Sequence, residues 1–344
     1  MFKHLVGNDH VKQTLRHLIA KGRVPNSLIL AGNEGIGKRQ FAIELCRSII
    51  CTEPTDGESC EVCSACRRAA AFTLPKSDDK DGHKRISFSD HPDVGMVIPY
   101  NRNIVVEAIR HLESEANFRP YEASARFFII DNADRMNDAA ANALLKTLEE
   151  PPVGSHIFLV TSRADSLLPT IRSRCQTLRF APVVTEEIEK YLVRDRAFTS
   201  DEARLAARLS RGSIGRAVAI NVEQFRKHRE RMLMVAMQSL ENHDLAALLK
   251  ISEEMNDAKN KEGFEENIDI LASLLHDIWV IAVSGDTSRV ASADLADRLS
   301  QLARNPTATK ILQWLSDIDT MRENFAVNIN RKIAADALFV GMTA

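Results

Sequence analysis

The chain has 344 residues, of which 44% are hydrophobic and 27% are charged. This is the composition of an ordinary folded protein, so a disordered or fibrous chain is excluded, and the length predicts two or three domains. Lysine plus arginine total 45 and aspartate plus glutamate total 47, a net charge of −2. The chain is therefore no bulk polycation, and contact with nucleic acid would need a local patch or an assembly.

The sequence shows neither the pattern of a membrane-spanning segment nor that of a signal peptide. No uninterrupted apolar run approaches the roughly 18–20 residues of a membrane span, because the stretch from Leu274 to Val283 carries His276 and Asp277. The first ten residues, MFKHLVGNDH, contain no apolar signal-peptide region. We therefore expect a cytoplasmic protein, in which six cysteines indicate free thiols or a metal site rather than disulfides.

A change in composition near residue 182 predicts a domain boundary. Most prolines and glycines precede it, and between them lie short apolar runs separated by helical patterns. Such alternation is typical of an α/β domain with a parallel sheet, which we place at 1–182. The predicted buried strands are Ser27 to Ala31, Val94 to Ile98, Phe127 to Ile130, Ile157 to Val160 and Thr177 to Phe180.

Helical patterns dominate the remainder of the chain. Amphipathic segments at 185–195 and 200–209, followed by a Gly-Ser-Ile-Gly turn, predict a small helical lid domain over 183–222. Longer amphipathic helices predict an all-α domain over 223–344, which contains Trp279 and Trp314. Inside the first domain, Asn137 is expected to cap a helix that Pro151 stops.

A glycine-rich segment after the first predicted strand has the pattern of a phosphate-binding P-loop. Residues 32–38 read GNEGIGK and precede a helical stretch from Gln40, which is the strand–loop–helix context that the motif requires. The candidate phosphate ligands are Gly32, Gly35, Gly37 and Lys38, because glycines turn backbone N–H groups toward a phosphate and the lysine adds a full positive charge.

Two positions depart from a working ATPase site. A P-loop lysine is ordinarily followed by Ser or Thr, whose hydroxyl binds Mg²⁺; here Arg39 follows, which has no acceptor atom. The predicted strand FFII ends in Asp131, which matches a metal-facing acidic strand, but the next residue is Asn132 where such ATPases carry a glutamate. We expect slow or no hydrolysis by this chain; the alternative is that both residues are tolerated in an active site.

Four cysteines have the spacing C-x8-C-x2-C-x2-C. Cys51, Cys60, Cys63 and Cys66 lie close enough in sequence to reach one tetrahedral Zn²⁺, and four thiolates leave no open position for catalysis. The sequence therefore predicts a structural zinc module over 51–66; the alternative is a set of reduced thiols without metal.

Taken in order, these motifs resemble the AAA+ clamp-loader family. The resemblance is carried by the P-loop, the Asp131 strand, the run AANALLKTLEEPP at 140–152, the triplet His91-Pro92-Asp93 and the triplet Ser173-Arg174-Cys175, with the cysteine module inserted after the P-loop helix. It implies an AAA+ P-loop sheet, then the helical lid, then a collar domain for oligomerisation.

The resemblance also implies roles for single residues. Arg174 matches the arginine finger that the family supplies across a subunit interface to the ATP of the next subunit, although a lone S-R-C triplet also fits a surface salt bridge. The nucleotide-sensing positions fall at Thr161 or Ser162 and at Arg216, and residues 5–8 match the segment that borders the adenine. ATP or ADP binding is then expected to be weak or absent.

The expected function is that of a clamp-loader subunit of the bacterial DNA polymerase III holoenzyme, without intrinsic ATPase. The implied partners are the gamma/tau and delta subunits in a hetero-pentamer, the sliding clamp and primer–template DNA, toward which a helix carrying Arg110 would face. Two alternatives stay open: an active loader ATPase of the gamma/tau type, and a zinc-containing P-loop kinase acting on a small molecule.

Overall fold

The computed structural model describes residues 2–55, 57–256, 263–304, 308–324 and 330–343. It divides into two compact units, residues 1–219 and 220–344. The first unit alternates strands and helices, and the second contains helices. The elements of the first unit are α1 (Asp9–Ala20), β1 (Ser27–Ala31), α2 (Lys38–Ile50), α3 (Ser64–Ala70), β2 (Ser87–Phe88), β3 (Val94–Val97), α4 (Val106–Ala116), β4 (Arg126–Ile130), α5 (Asp138–Glu149), β5 (Ser155–Thr161), α6 (Pro169–Arg172), β6 (Gln176–Arg179), α7 (Thr185–Arg196), α8 (Ser200–Leu209) and α9 (Ile214–Ala219).

The six strands form one sheet in the order β2-β3-β4-β5-β1-β6. Every pairing is parallel except that of β2 with β3 at the edge. The predicted α/β class is thus confirmed, and the five predicted strands are present with ends shifted by at most two residues. The short edge strand β2 was not predicted, because two residues that include the polar Ser87 give no periodic signal.

The inner strands β1, β3, β4 and β5 are mostly apolar because both faces of the sheet are covered there. Leu28 and Leu30 of β1 face one core with the P-loop helix α2, whereas Ile29 and Ala31 face the opposite core with α4 and α5. Side chains alternate across a strand, so a strand covered on both sides needs apolar residues at consecutive positions. This is why these strands read as continuous apolar runs.

Helix α5 begins and ends where local chemistry dictates. The Asn137 side chain accepts a hydrogen bond from the Ala140 backbone N–H at 2.8 Å, which is the N-cap that the sequence predicts. Ala140, Leu144 and Leu148 pack against the sheet. The helix ends at Glu149, and Glu150 and two prolines follow it.

A buried ion cluster ties the start of β4 to the loop before it. The Asp93 carboxylate is fully buried and accepts backbone N–H bonds from Tyr121, Glu122 and Ala123 at 2.8–2.9 Å. The Arg126 guanidinium lies 3.6 Å from Asp93. Its side chain is 1% exposed and lies over the rings of Phe88, Tyr121 and Phe128. Asp93 of the His-Pro-Asp triplet therefore has a structural role.

The second unit is a helical bundle. Buried side chains of α12 and α14, such as Leu271, Leu275 and Ile318, form its interior, and Trp314 is 5% exposed within it. Trp279 is half-buried. The helices are α10 (Val222–Met237), α11 (Leu245–Asn256), α12 (Phe264–Ser284), α13 (Ala296–Leu302), α14 (Ala308–Asn324) and α15 (Arg331–Thr343).

Helix α12 is the one described helix that is long and apolar enough to cross a membrane. Within its most apolar 18-residue window, 56% is buried inside the structure. Core helices of soluble proteins satisfy the same criterion, and Asp277 of α12 is buried with its carboxylate accepting the Ala291 and Ser292 backbone N–H groups. The helix is therefore weak evidence for a membrane span.

Removal of the Asp93 carboxylate is expected to destabilise the first unit strongly. Asp93→Ala removes one of the two carboxylates near the buried Arg126 charge, leaving Glu115 at 3.0 Å, and leaves three backbone N–H groups unbonded. We therefore expect a loss of about 3–5 kcal/mol in the free energy of unfolding, measured by urea denaturation. Asp90→Ala is the matched control, because Asp90 is exposed and its loss should cost under about 0.5 kcal/mol. Equal effects of the two substitutions would contradict this role.

Candidate nucleotide and metal sites

The predicted nucleotide-site residues converge at one edge of the sheet. Strands β4, β5 and β1 are neighbours and parallel, so their carboxyl ends meet. Asp131 follows β4, Thr161 ends β5 and Gly32 follows β1. This is the edge at which open α/β sheets bind ligands.

The P-loop has the backbone of a phosphate cradle. Gly35 and Gly37 have positive φ angles of 74° and 95°, conformations that favour glycine. Lys38 begins α2 and is 6% exposed, and its Nζ donates hydrogen bonds of 2.6 Å to the carbonyl oxygens of Gly32 and Asn33. Burial lowers the pKa of Lys38, while the Asp131 carboxylate opposes that shift. In this conformation the Lys38 ammonium group binds carbonyl oxygens of the P-loop.

Arg39 forms an ion pair with the acidic strand residue. Its Nη1 donates to Asp131 Oδ2 at 3.2 Å, and the Asp131 side chain is 11% exposed. Burial raises the pKa of Asp131, and the neighbouring guanidinium acts in the opposite direction. The two positions that would bind Mg²⁺ in a working site, the residue after the lysine and the carboxylate, are thus joined to each other.

Asn132 lies beside this pair in a left-handed conformation, with φ 53° and ψ 50°. Asparagine adopts this region more readily than most residues. Its backbone N–H donates to Asp131 Oδ1 at 3.1 Å, and Asn132 lines the cavity described below. An amide has no basic atom that accepts a proton from water at neutral pH.

Thr161, a predicted nucleotide-sensing residue, is occupied by an internal contact. Its hydroxyl donates to Asp134 Oδ1 at 2.8 Å, and the Ser162 backbone N–H donates to the same oxygen. Arg163 contacts the other carboxylate oxygen at 3.2 Å. Burial raises the pKa of Asp134, but the bonds from Thr161, Ser162 and Arg163 outweigh it and lower the pKa. Ser162, unlike Thr161, lines the cavity.

The lid helices α7–α9 are joined to the P-loop by backbone contact. The Gly215 N–H donates to the Gly35 carbonyl at 2.7 Å. A side chain at Gly35 would collide with the Ser213 hydroxyl, so the loop and the start of α9 approach as closely as glycine allows.

Between the lid helices and the sheet lies a cavity of about 590 Å³. Its polar end contains Lys38, Arg39 and Asp131, and its apolar wall includes Val160 and Ile214. Leu5 and Val6, from the segment predicted to border an adenine, also line it. The size and lining fit a small ligand with an anionic end and an apolar end.

Tyr191 and Arg196 of α7 are among the cavity residues that were not predicted from the sequence. The Arg196 Nε donates to the Tyr191 hydroxyl at 3.0 Å, and its guanidinium lies 5.6 Å from the ring centroid. No motif marks them, because their position depends on how the lid helices pack. Arg216 was the predicted lid cation; it is exposed, and its side chain is not among the described residues that line the cavity.

The N-terminal segment is held against the end of the sheet. The Asn8 side chain pairs with both backbone groups of Ala181, donating to the carbonyl at 3.1 Å and accepting from the N–H at 2.8 Å. Asn8 itself has φ 54°. This two-point contact fixes residues 5 and 6 at the cavity wall.

The four predicted metal-ligating cysteines lie together. The sulfurs of Cys51, Cys60, Cys63 and Cys66 are all within 4.8 Å of one another, compared with about 3.8 Å between sulfurs around a tetrahedral zinc with bonds of about 2.3 Å. Backbone N–H groups of Cys60, Cys63 and Cys66 point at the sulfurs of Cys51, Cys60 and Cys63 at 3.2–3.4 Å. The chain thus contains a four-cysteine cluster compatible with a metal ion.

One thiol of the cluster is strongly acidified. Burial alone raises the pKa of Cys63, but hydrogen bonds from the backbone N–H groups of Cys66 and Thr52 outweigh it and lower the pKa to about 5. Burial raises the pKa of Cys51 and Cys66. Hydrogen-bond donors directed at sulfur stabilise the thiolate form, which is the form that binds a metal ion. A bound cation would also favour loss of the proton from the other three thiols.

Arg174 lies on the surface, just after α6. The Nη2 atom is 2.6 Å from Glu149 Oε1, and Nη1 donates to the Thr170 carbonyl at 2.9 Å. The side chain is 34% exposed, and it is not among the described residues that line this chain's own cavity.

The sheet order, the P-loop after β1 and the acidic residue after β4 define a P-loop α/β protein of the AAA+ type. The chain belongs to the family described as DNA polymerase III, delta subunit: the family model matches residues 7–78 and 75–184, and the model of the C-terminal part matches 223–338. Within this family it is a homologue of the delta' subunit of the clamp loader.

The relatives with that name are similar over nearly the whole chain. The delta' subunit of Bacillus subtilis is 28% identical over 93% of this chain and 91% of its own length, and that of Escherichia coli is 28% identical over 91% and 87%. The tau subunit of B. subtilis is 28% identical over 54% of this chain and 30% of its own length.

Two solved structures match most of the chain at low sequence identity. A gamma subunit-related protein of Thermotoga maritima gives a TM-score of 0.43 at 19% identity, covering 96% of this chain and 99% of its own. The RuvB branch migration motor of T. maritima gives 0.41 at 16% identity, covering 87% and 86%.

The Asp134 contacts predict a pH-dependent contribution to stability. Because the folded-state pKa lies below the unfolded value of about 3.9, the carboxylate stabilises the fold above that pH and loses its effect as the pH falls through the folded pKa. Asp134→Asn should therefore cost about 1–3 kcal/mol at pH 7, and the difference from wild type should shrink toward pH 3.

Urea denaturation at several pH values measures this difference. Asp165→Asn is the control, because the Asp165 side chain is 90% exposed and its pair with Arg172 is on the surface, where such pairs contribute about 0–1 kcal/mol. A cost for Asp134→Asn that does not vary with pH would contradict the assignment.

Proposed function

We propose that this chain acts as a non-hydrolysing subunit of a clamp loader and supplies Arg174 to the ATP bound by a neighbouring subunit. The observation that carries the proposal is the Arg39–Asp131 ion pair of 3.2 Å. It joins the residues at the two positions that bind Mg²⁺ in a working P-loop site. A subunit with a disabled site can still accelerate hydrolysis in its neighbour if it presents a cation there.

The chemistry of the pair argues against hydrolysis in this chain. A guanidinium has no acceptor atom and keeps its charge at every physiological pH, so Arg39 neither binds Mg²⁺ nor releases Asp131 by deprotonation. Asn132 cannot take a proton from the attacking water. Binding of ATP or ADP through the backbone of Gly35, Gly37 and Lys38 is expected to be weak, because Lys38 is already bonded to two carbonyls.

The chemistry of Arg174 supports a role in trans. A planar guanidinium matches the charge that develops on a transferred phosphoryl group, and arginine fingers contribute about 10³–10⁵ in rate where they have been measured. Arg174 is partly exposed, so a partner can reach it. A surface salt bridge with Glu149 is the competing interpretation, and the experiment below separates the two.

The partners of the proposed assembly are gamma/tau and delta subunits in a hetero-pentamer, with the sliding clamp and primer–template DNA as its substrates. Arg110 on α4 is exposed and is proposed to face the DNA. The functional divisions are proposed as 1–182 for the AAA+ part, 183–222 for the lid and 223–344 for the collar, and the place of action as the cytoplasm. Similarity to gamma and tau subunits over about half of the chain supports a common assembly.

The four-cysteine cluster is proposed to hold one structural zinc ion. Cys51, Cys60, Cys63 and Cys66 would fill all four positions of a tetrahedral ion, which leaves none for a substrate. When bound, the ion would cross-link the loop before α3 to the C-terminal end of α2.

The alternatives have less support. An active loader ATPase of the gamma/tau type needs a free Mg²⁺ site, which the Arg39–Asp131 pair opposes. The family match leaves a small-molecule kinase without any observation in its favour.

Replacement of Arg174 is expected to reduce hydrolysis in the neighbouring subunit. In a loader reconstituted with gamma/tau subunits whose own S-R-C arginines are changed to alanine, hydrolysis that depends on a finger comes from this chain alone. Arg174→Ala should then lower kcat for ATP by about 10³-fold, to the limit of detection, in a steady-state phosphate-release assay.

Arg172→Ala is the matched control, since Arg172 is two residues away, exposed and paired with Asp165 on the surface; it should leave kcat unchanged. Purified alone, the wild-type chain should show no ATP turnover above background. Unchanged kcat in Arg174→Ala, or brisk turnover by the isolated chain, would contradict the proposal.

Metal analysis of the purified chain is expected to give about one zinc per molecule. Cys63→Ser should reduce the zinc content to below about one-tenth, because three thiolates and a weak hydroxyl ligand bind Zn²⁺ far less tightly. Cys175→Ala is the control, since Cys175 is outside the cluster, and it should retain the full zinc content. A wild-type chain without metal after gentle purification would remove the site.

A further inference from the structure

Helix α5 ends with two residues that oppose its dipole. Glu149 is the last residue of the helix and Glu150 follows it. The carboxyl end of a helix carries a partial negative charge, so acidic side chains are unfavourable there and cations are favoured. Residues that are unfavourable for their local secondary structure, as these two are, occur most often at functional positions.

The two glutamates differ in what they contact. Glu149 Oε1 is 2.6 Å from Arg174 Nη2. Glu150 is exposed and makes no side-chain hydrogen bond or ion pair with any residue that the structure describes. The unfavourable charge of Glu149 is thus compensated by one specific guanidinium.

Arg174 is held at three points. Besides Glu149, its Nη1 atom donates to the Thr170 carbonyl at 2.9 Å and to the Ser173 hydroxyl at 3.4 Å. The Arg174 backbone N–H donates to the Ile171 carbonyl, so the chain turns tightly at the base of the side chain. A long, flexible arginine would otherwise sample many rotamers, and fixing it in one rotamer when the neighbour's phosphate binds would cost conformational entropy.

We propose that Glu149 is a positioning residue that holds the Arg174 guanidinium ready for the neighbour's phosphate. This inference rests on the proposed function of Arg174. Glu149 fixes the side chain from the α5 side, while the Thr170 carbonyl fixes it from its own turn. In this role Glu149 acts through Arg174 and does not need to contact the ATP.

The exposure of the pair allows the guanidinium to exchange partners. The Glu149 side chain is 51% exposed and that of Arg174 is 34% exposed, and surface ion pairs in water are weak. A triphosphate carries more negative charge than one carboxylate and offers more acceptor oxygens, so the guanidinium shifts to the phosphate once a neighbour binds. The Glu149 carboxylate thus limits the rotamers that Arg174 samples, and it does not prevent the guanidinium from moving to the phosphate.

The test compares two neighbouring isosteric substitutions, Glu149→Gln and Glu150→Gln, in the reconstituted loader with gamma/tau fingers removed. Both remove one negative charge from the same end of α5. Glu149→Gln should lower kcat for ATP about 10-fold, within the range that small misplacement of a catalytic group produces, with KM for ATP unchanged. Glu150→Gln should match wild type.

Combination with Arg174→Ala tests whether the effect passes through the arginine. In the Arg174→Ala background, Glu149→Gln should produce no further change in rate, because residues that act as one unit are not additive. Thermal unfolding and gel filtration of each reconstituted loader verify that the subunit folds and assembles. If Glu149→Gln does not assemble, Glu149→Asp replaces it, with a smaller loss of kcat expected from the shorter carboxylate.

The outcomes separate this inference from the proposed function. Loss of kcat in Arg174→Ala together with wild-type or raised kcat in Glu149→Gln overturns the positioning role alone. Equal losses in Glu149→Gln and Glu150→Gln, or a further loss in the Arg174→Ala background, also overturn it. Unchanged kcat in Arg174→Ala overturns the finger and the inference together.

Discussion

The Arg39–Asp131 ion pair is the interaction on which the interpretation of this molecule depends. The carboxylate at the end of β4 is 11% exposed, and a buried carboxylate needs a compensating cation. In a working P-loop protein the metal and its ligands provide that cation when nucleotide is bound. Here a covalently attached guanidinium provides it permanently, so the edge of the sheet is electrostatically balanced without any ligand.

The parallel sheet makes this substitution possible. Because β4, β5 and β1 run in the same direction, residues far apart in sequence meet at their carboxyl ends, and Arg39 reaches Asp131 across 92 positions. The same arrangement brings Thr161 to Asp134. Several polar side chains that would contact nucleotide or Mg²⁺ in a working site are therefore bonded to one another. The edge of the sheet keeps the backbone of a binding site, but many of its polar groups are already paired within the chain.

The sequence predicted those parts of the structure that depend on local pattern. The buried strands were predictable because both faces of the sheet are covered, and the α5 cap because Asn137 precedes an apolar helix that prolines end. The four cysteines were brought together as their spacing predicts. Arg39 and Asn132 were each recognised as departures, but the pairing of Arg39 with Asp131 was not, since nothing in the sequence marks a contact over that separation.

Other features required three-dimensional structure for the same reason. Tyr191 and Arg196 line the cavity through the packing of α7, and the contact between Glu149 and Arg174 depends on how α5 and α6 meet. The two-residue strand β2 is too short to produce a periodic signal. Arg216 was assigned a role by resemblance to other sequences, and its side chain is exposed and outside the described lining of the cavity.

The close approach of Gly215 to Gly35 has a mechanical consequence. The N–H of Gly215 donates to the carbonyl of Gly35 at 2.7 Å, so the main chain itself helps to hold α9 against the P-loop. A side chain at Gly35 would collide with the Ser213 hydroxyl, so a substitution there would push the start of α9 away from the loop and enlarge the gap between the two.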